Sequence, residues 1–332
     1  MTDLFPFPIF ACMRKRKIIR GVVNHCYQRS ADRGLIFYTI SDYLLYFTIY
    51  CVTAVKYKIR VLKLVLMPDH LHQAVIEERK GELSRFQQEC QSRFAREQNL
   101  LCGRKGPLFE HPYGSVPKYE DKKVRTTLIY LDNNPVERKL VKNAEDYRWN
   151  FLSYGNSDHP FSDKIVLSQA SMPLRRALGQ IKLLHRQGRF LPHPLLQKFF
   201  HSLPDNRERE QLVDFIIGTY SIIDHDAAIG YFGSYQDELL AAHATSGSEH
   251  DLQEQFIGKS DACYATMMRV LKQNGRYVKD VHEIFSLPCV ERQEFFTLLR
   301  HQTFAPTKQI AAFLHLSIHY TDSSLPPVEL NF

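Results

Sequence analysis

Two histidines stand two residues apart in LVLMPDHLHQAVIEE (64–78), at His70 and His72. A tyrosine, Tyr130, stands four residues before Asn134 in TTLIYLDNNPVERKL (126–140). On a strand, residues i and i+2 share a face, so His70 and His72 present two imidazoles side by side. That is half of a divalent-metal site, wanting one or two further ligands. Taken alone, such a pair is more often one hydrogen-bonded core histidine beside an exposed one. On a helix, Tyr130 and Asn134 lie one turn apart on one face. A phenol has an ordinary pKa of about 10 and attacks poorly unless something helps it. A metal that polarises a phosphodiester and steadies the leaving oxygen would supply that help, with the carboxamide completing its ligands. The local alternative is a tyrosine that packs its helix on a sheet and an asparagine that caps the helix before Pro135.

The surrounding elements decide whether these groups can meet. KIIRGVVNHCYQRS (17–30) reads as a strand, and SDYLLYFTIYCVTAVKY (41–57) as a helix with a Ser/Asp start. RVLKLVLMP (60–68) and HLHQAVIEE read as antiparallel strands joined at Pro68-Asp69. GELSRFQQECQSRFAREQNLL (81–101) is an amphipathic helix, and LFEHPYGSVPKY an irregular extended piece. EDKKVRTTLIYLDN (120–133) is a third helix, which Pro135 should stop. The order β-α-β-β-α-(β)-α predicts an α+β fold: a ferredoxin-like or RRM-like antiparallel sheet with helices on one face. AEDYRWNFLSYG (144–155) closes this unit, and the polar stretch 156–164 marks a boundary. From 165 to 332 the sequence reads as all-helical, with its role open.

These motifs carry a resemblance. LMPDHLH, a polar helix, and then YLDNNPVERKLVKNAEDYRWNFLSY resemble the single-tyrosine HUH transposases, most nearly their REP-associated tyrosine transposase branch. His72 precedes Tyr130 by 58 residues, the separation that family shows, and the resemblance spans residues 17–155. It implies His70 and His72 as metal ligands and Asn134 as the group that completes the site. It implies Tyr130 as the nucleophile that forms a 5′-phosphotyrosine with single-stranded DNA and frees a 3′-OH. The metal would be Mg²⁺ or Mn²⁺; two imidazoles favour Mn²⁺, because Mg²⁺ prefers oxygen ligands. The expected partner is single-stranded or hairpin DNA. A dimer would let Tyr130 act on a partner's site, whereas a monomer would act in cis. The competing functions are a non-catalytic, domesticated binder of hairpin DNA or RNA, and a helical interaction protein with a vestigial first domain.

Charge points the same way. Residues 14–148 hold 26 lysines and arginines against 15 acidic residues, and residues 156–332 hold 17 against 20. A basic first half suits a polyanion. Lys118, Lys122, Lys123 and Arg125 cluster on the approach to Tyr130, and Arg104 and Lys105 occupy a glycine loop. Arg14 to Lys17 form a basic arm. Each could hold phosphates, and Tyr113 or Tyr119 could stack unpaired bases. Tyr113 and Tyr119 are also rival nucleophiles, ranked below Tyr130 because they share no helical face with Asn134. His25 could face the same site, and Asp69 suits a turn cap better than a metal ligand. Seven cysteines without a CxxC pair argue against a disulfide framework or structural zinc, and fit a reducing cytoplasm. No apolar run reaches membrane-spanning length. MTDLFPFPIFAC reads as a disordered leader, with Met13 as an alternative start. TFAPTKQIAAFLHLS (303–317) has the spacing of a first helix-turn-helix helix, but IHYTDSSLPPVEL, with its serines and prolines, makes a poor recognition helix behind it.

Overall fold

A β-hairpin holds the two histidines. Strand β2 (Ile59–Leu66) turns through Met67–Asp69 into β3 (His70–Glu77), and nearly every residue of the pair is buried. Such a near-continuous apolar run arises where both faces of a strand are covered. In this computed structural model, residues 17–316 are described apart from 32, 111, 246–257, 259 and 275–280. The leader at 1–16, Arg14 to Arg16 of the basic arm, and the stretch after 316 lie outside the described residues.

Strand β1 (Val23–Arg29) pairs antiparallel with β3 on one side and with β4 (Gly114–Lys118) on the other, giving the order β2-β3-β1-β4. The stretch expected to be irregular extended chain is therefore the edge strand. Its Pro117 suits an edge, where a missing N–H costs no ladder bond. The α+β class and the four-stranded antiparallel sheet agree with the element order read above.

One sheet face is covered by α1 (Ile40–Tyr57) and α2 (Glu82–Leu101). Helix α1 begins with a capping box, Thr39 to Asp42, and its Tyr46, Tyr50 and Phe47 are fully buried. Helix α2 buries Leu83, Phe86, Cys90 and Phe94, a helical stripe laid against α1 and the sheet. The expectation of helices on one face alone does not hold: the opposite face carries α3 (Asp121–Glu137), whose Tyr130 lies against His72. Pro135 does not stop this helix; it lies in the last turn, and the Arg138 N–H still reaches the Asn134 carbonyl at 3.1 Å. A proline there forfeits a single intrahelical bond, so Asn134 keeps helical geometry on the same face as Tyr130.

The region after 165 is helical: α4 (Met172–Arg186), α5 (His193–Ser202), α6 (Asn206–Tyr220), α7 (His225–Ile229), α8 (Tyr235–Ala244), α9 (Ala262–Gln273), α10 (Cys289–Gln302) and α11 (Thr307–Phe313). Helices α4 to α6 share one apolar core with the sheet and α1, through Leu174, Ile181, Leu212 and Ile216. Helices α9 to α11 build a second cluster that takes in Leu35. Helix α11 buries Ile310 and Phe313 against that cluster, as an ordinary packed helix. No helix among the described residues is long and apolar enough to cross a membrane.

A bulge in β2 sets the position of α3. The pairing shifts between Val61 and Lys63, which turns Lys63 onto the α3 face. There its ammonium sits 2.8 Å from both Asp132 of α3 and Glu238 of α8, with all three side chains buried. Two anions share one cation, so burial and the Glu238 charge push Asp132 up to about 7 despite Lys63. A carboxyl raised in the folded state stabilises most below its ordinary pKa and loses that contribution as pH rises toward 7. Asp132→Asn should therefore flatten the fall in stability between pH 4 and 7, read as melting temperature against pH. It should leave Lys63 and Glu238 as a matched pair.

Candidate functional site

The register of β1 on β3 assembles the site. Tyr27 lies opposite His72, and Arg29 opposite His70. His25, Tyr27, Arg29, His70 and His72 thus share the face that α3 crosses. His70, His72 and Asn134 are at most 1% exposed, and Tyr130 is 5% exposed. Tyr27 and Arg29 are half-buried and form the more open side.

The polar contacts form one chain. The Asp69 carboxylate accepts from His70 Nδ1 at 2.5 Å. With Nδ1 held by Asp69, His70 turns Nε2 toward Asn134, whose Oδ1 is 3.2 Å away. Asn134 Nδ2 is 3.5 Å from His72 Nε2 and donates to the Tyr130 hydroxyl at 3.4 Å. His72 Nδ1 meets His25 Nε2 at 3.1 Å. The Tyr130 ring stands edge-on to both His72 and His25, with centroids 5.6 and 5.9 Å away. Burial would raise the Asp69 carboxyl, but His70, Arg29 and Arg138 together hold it below the usual range. Arg138 in turn is clamped by both carboxylate oxygens of Asp261, at the start of α9.

This donor set fits a divalent cation. His70 Nε2 and Asn134 Oδ1 stand 3.2 Å apart, the spacing of two ligands on one cation. Ligands on one octahedral ion with bonds of about 2.1 Å stand roughly 3 Å apart. Asp69 behind His70, and His25 behind His72, stand where outer-shell partners fix imidazole tautomers.

The structure brings His70, His72, Tyr130 and Asn134 together, and disperses the other residues singled out. Lys122, Lys123 and Arg125 are exposed on the first turns of α3. Arg125 lines a groove of about 400 Å³ with Arg60, Asp121 and Tyr231. Lys118 is on the α3 face but is 3% exposed, so it is not part of an open basic surface. Arg104 contacts His315, after α11, at 3.4 Å, and Lys105 beside it is exposed. Tyr113 is buried with its hydroxyl 3.2 Å from Ser84 of α2, on the far side of the sheet from Tyr130. Tyr119 is exposed. His25 does face the site, and Asp69, Arg138 and Tyr27 join it, the first two from within the quoted motifs and Tyr27 from β1, where no motif marks it. An aspartate immediately before the first histidine is the available signal for Asp69.

Tyr27 depends on a glycine. A Cβ at Gly114 would lie 2.0 Å from the Tyr27 ring, so β4 leaves this place empty for it. Gly114→Ala should displace Tyr27, which packs 6.5 Å from His72. A drop in melting temperature of a few degrees would report it.

The fold and site together define an α+β protein with a histidine pair, a tyrosine and a carboxamide on one sheet face. No protein-family model matches the sequence, and no curated protein matches it. Among solved structures, the chain is similar to a REP-associated tyrosine transposase bound to a REP hairpin, with 16% identity and a TM-score of 0.39. The match covers 48% of this chain and 94% of that one, a likeness too low to define a common fold by itself.

Proposed function

We propose that this protein nicks and rejoins single-stranded DNA beside hairpins through a phosphotyrosine at Tyr130, as a metal-dependent enzyme of the tyrosine-transposase kind. One observation carries the reading: the Asn134 carboxamide touches His70, His72 and the Tyr130 hydroxyl at once, at 3.2 to 3.5 Å. A strand pair of imidazoles and a helical Tyr–Asn pair, 58 residues apart in sequence, converge on one point.

His70, His72 and Asn134 would hold Mg²⁺ or Mn²⁺. When bound, such an ion polarises a phosphodiester and steadies the departing 3′ oxygen. Asp69 keeps the His70 proton on Nδ1, and His25 orients the His72 ring. The Tyr130 oxygen attacks phosphorus and loses its proton. The tyrosyl O–P bond forms as the P–O3′ bond breaks, and the 3′ oxygen takes up a proton. No external energy is needed, because one phosphodiester replaces another; attack by a second 3′-OH reverses the step. Lys122, Lys123 and Arg125 would hold backbone phosphates on the approach, with binding that weakens as salt rises. Because Tyr130 is buried, the strand reaches it only after the open side at Tyr27 and Arg29 widens.

That burial also favours a second reading, a hairpin binder without catalysis. A denaturing gel of hairpin-bearing single-stranded DNA, incubated with protein and Mn²⁺, separates the two. A covalent protein–DNA band supports cleavage. A salt-sensitive shift on a native gel without that band supports the binder.

A further inference from the structure

The N-terminus of α1 holds a second cluster that DNA cleavage leaves unused. Asp42 of α1, His193 at the start of α5, and His282 in the short 3-10 helix Val281–Ser286 are each at most 3% exposed. One ligand atom from each lies within 4.8 Å of the others. His282 Nε2 is 3.0 Å from both Asp42 oxygens, and His193 Nε2 is 3.7 Å from Oδ1. The two imidazoles stand at 84° to each other, with centroids 5.2 Å apart.

Helix capping explains only part of this. Asp42 Oδ2 accepts the Tyr38 and Thr39 backbone N–H groups at 2.9 and 2.8 Å, and Oδ1 accepts the Gln98 amide at 2.8 Å. A capping aspartate needs no histidine. A hydrogen bond does not account for the approach of His193 to Asp42, because 3.7 Å lies beyond its range. Ligands on one tetrahedral ion with bonds of about 2.0 to 2.1 Å stand roughly 3.3 Å apart, and 3.0 and 3.7 Å bracket that separation.

We propose that Asp42, His193 and His282 bind one divalent transition-metal ion of the zinc class, which clasps the C-terminal helices to α1. Two imidazoles and one carboxylate select that class over Mg²⁺ or Ca²⁺. Gln98 orients the ligating oxygen as an outer-shell donor. Of the three ligands, His193 also lines a cleft of about 710 Å³ with Tyr38, Ser41, Glu210, Lys272 and Val281. Asp42 and His282 are 240 residues apart, so the ion closes a loop through most of the chain. The site is separate from the His70–His72 pair and does not depend on the DNA-cleavage reading.

The test uses the full-length chain carrying His70→Ala and His72→Ala, which removes the other metal-ligating pair, with the unsubstituted chain alongside. After equilibration with zinc and desalting, elemental analysis should find about one zinc per chain, lost on adding His193→Ala or His282→Ala. Cobalt(II) should give the visible absorption of a four-coordinate site. A chelator should lower the melting temperature by roughly 5 to 10 °C. If those substituted chains fail to fold, cobalt titration of the unsubstituted chain against one carrying only His193→Gln decides, since a band from the proposed site is lost with His193. Absence of retained zinc, of the cobalt band and of any chelator effect would overturn the proposal and leave an Asp–His charge cluster.

Discussion

Tyr130→Phe is expected to remove the covalent protein–DNA band completely and to leave hairpin binding within about twofold of the parent. The phenol oxygen is the proposed nucleophile, and no conservative variant replaces it. Phenylalanine keeps the ring against His72 and His25 and gives up the hydroxyl's contacts, the 3.4 Å one with Asn134 among them. Its stability cost should be about 1 kcal/mol, the ordinary net worth of a neutral hydrogen bond. Parallel denaturing gels, native gels and thermal melts of the two proteins check all three expectations. A band that persists in the phenylalanine variant would move the chemistry to another residue. Tyr27 is the nearest alternative, 6.5 Å from His72 by ring centroid.

The largest structural effect should come from Lys63→Met. The methionine fills the space but leaves Asp132 and Glu238 facing each other without the cation that holds them together. Burial alone would lower the Lys63 ammonium, yet the two carboxylates hold it above the ordinary lysine range. Breaking a buried ion cluster by removing one partner costs about 3 to 5 kcal/mol. That is a large share of the roughly 5 to 15 kcal/mol that holds a typical domain folded. A fall in melting temperature of about 10 °C or more is expected. The loss should grow as pH rises, because the unpaired carboxylates are tolerated when protonated and repel when ionised. Adding Asp132→Asn should restore part of it. Equal melting temperatures for Lys63→Met and the parent at pH 8 would contradict this account.

The candidate site is legible in the sequence where local spacing decides geometry. A strand must put His70 and His72 on one face, and a helix must put Tyr130 and Asn134 on one face. The hidden part depends on pairing between distant segments. His25 belongs with His72 only because of the β1–β3 register. Tyr113 suits base stacking by residue type, but strand parity sends it to the α2 side, while Gly114 and Lys118 face α3. Pro135 has the form of a helix stop, yet it falls where only one helical bond remains to be lost. Lys63 has the local pattern of an exposed strand lysine; the bulge in β2 and two distant carboxylates give it a buried place. The Asp42–His193–His282 cluster joins three segments that no local pattern connects.

Mass spectrometry of the trapped adduct would assign the DNA linkage to a single residue. Protein incubated with Mn²⁺ and hairpin-bearing single-stranded DNA would be digested with nuclease and trypsin. The peptide TTLIYLDNNPVER, residues 126–138, contains Tyr130 as its single tyrosine. A nucleotide mass on that peptide, linked through phosphotyrosine, is the predicted result. A nucleotide on a peptide carrying Tyr27, Tyr113 or Tyr119, or no adduct on any tyrosine of a protein that binds the same DNA, would contradict it.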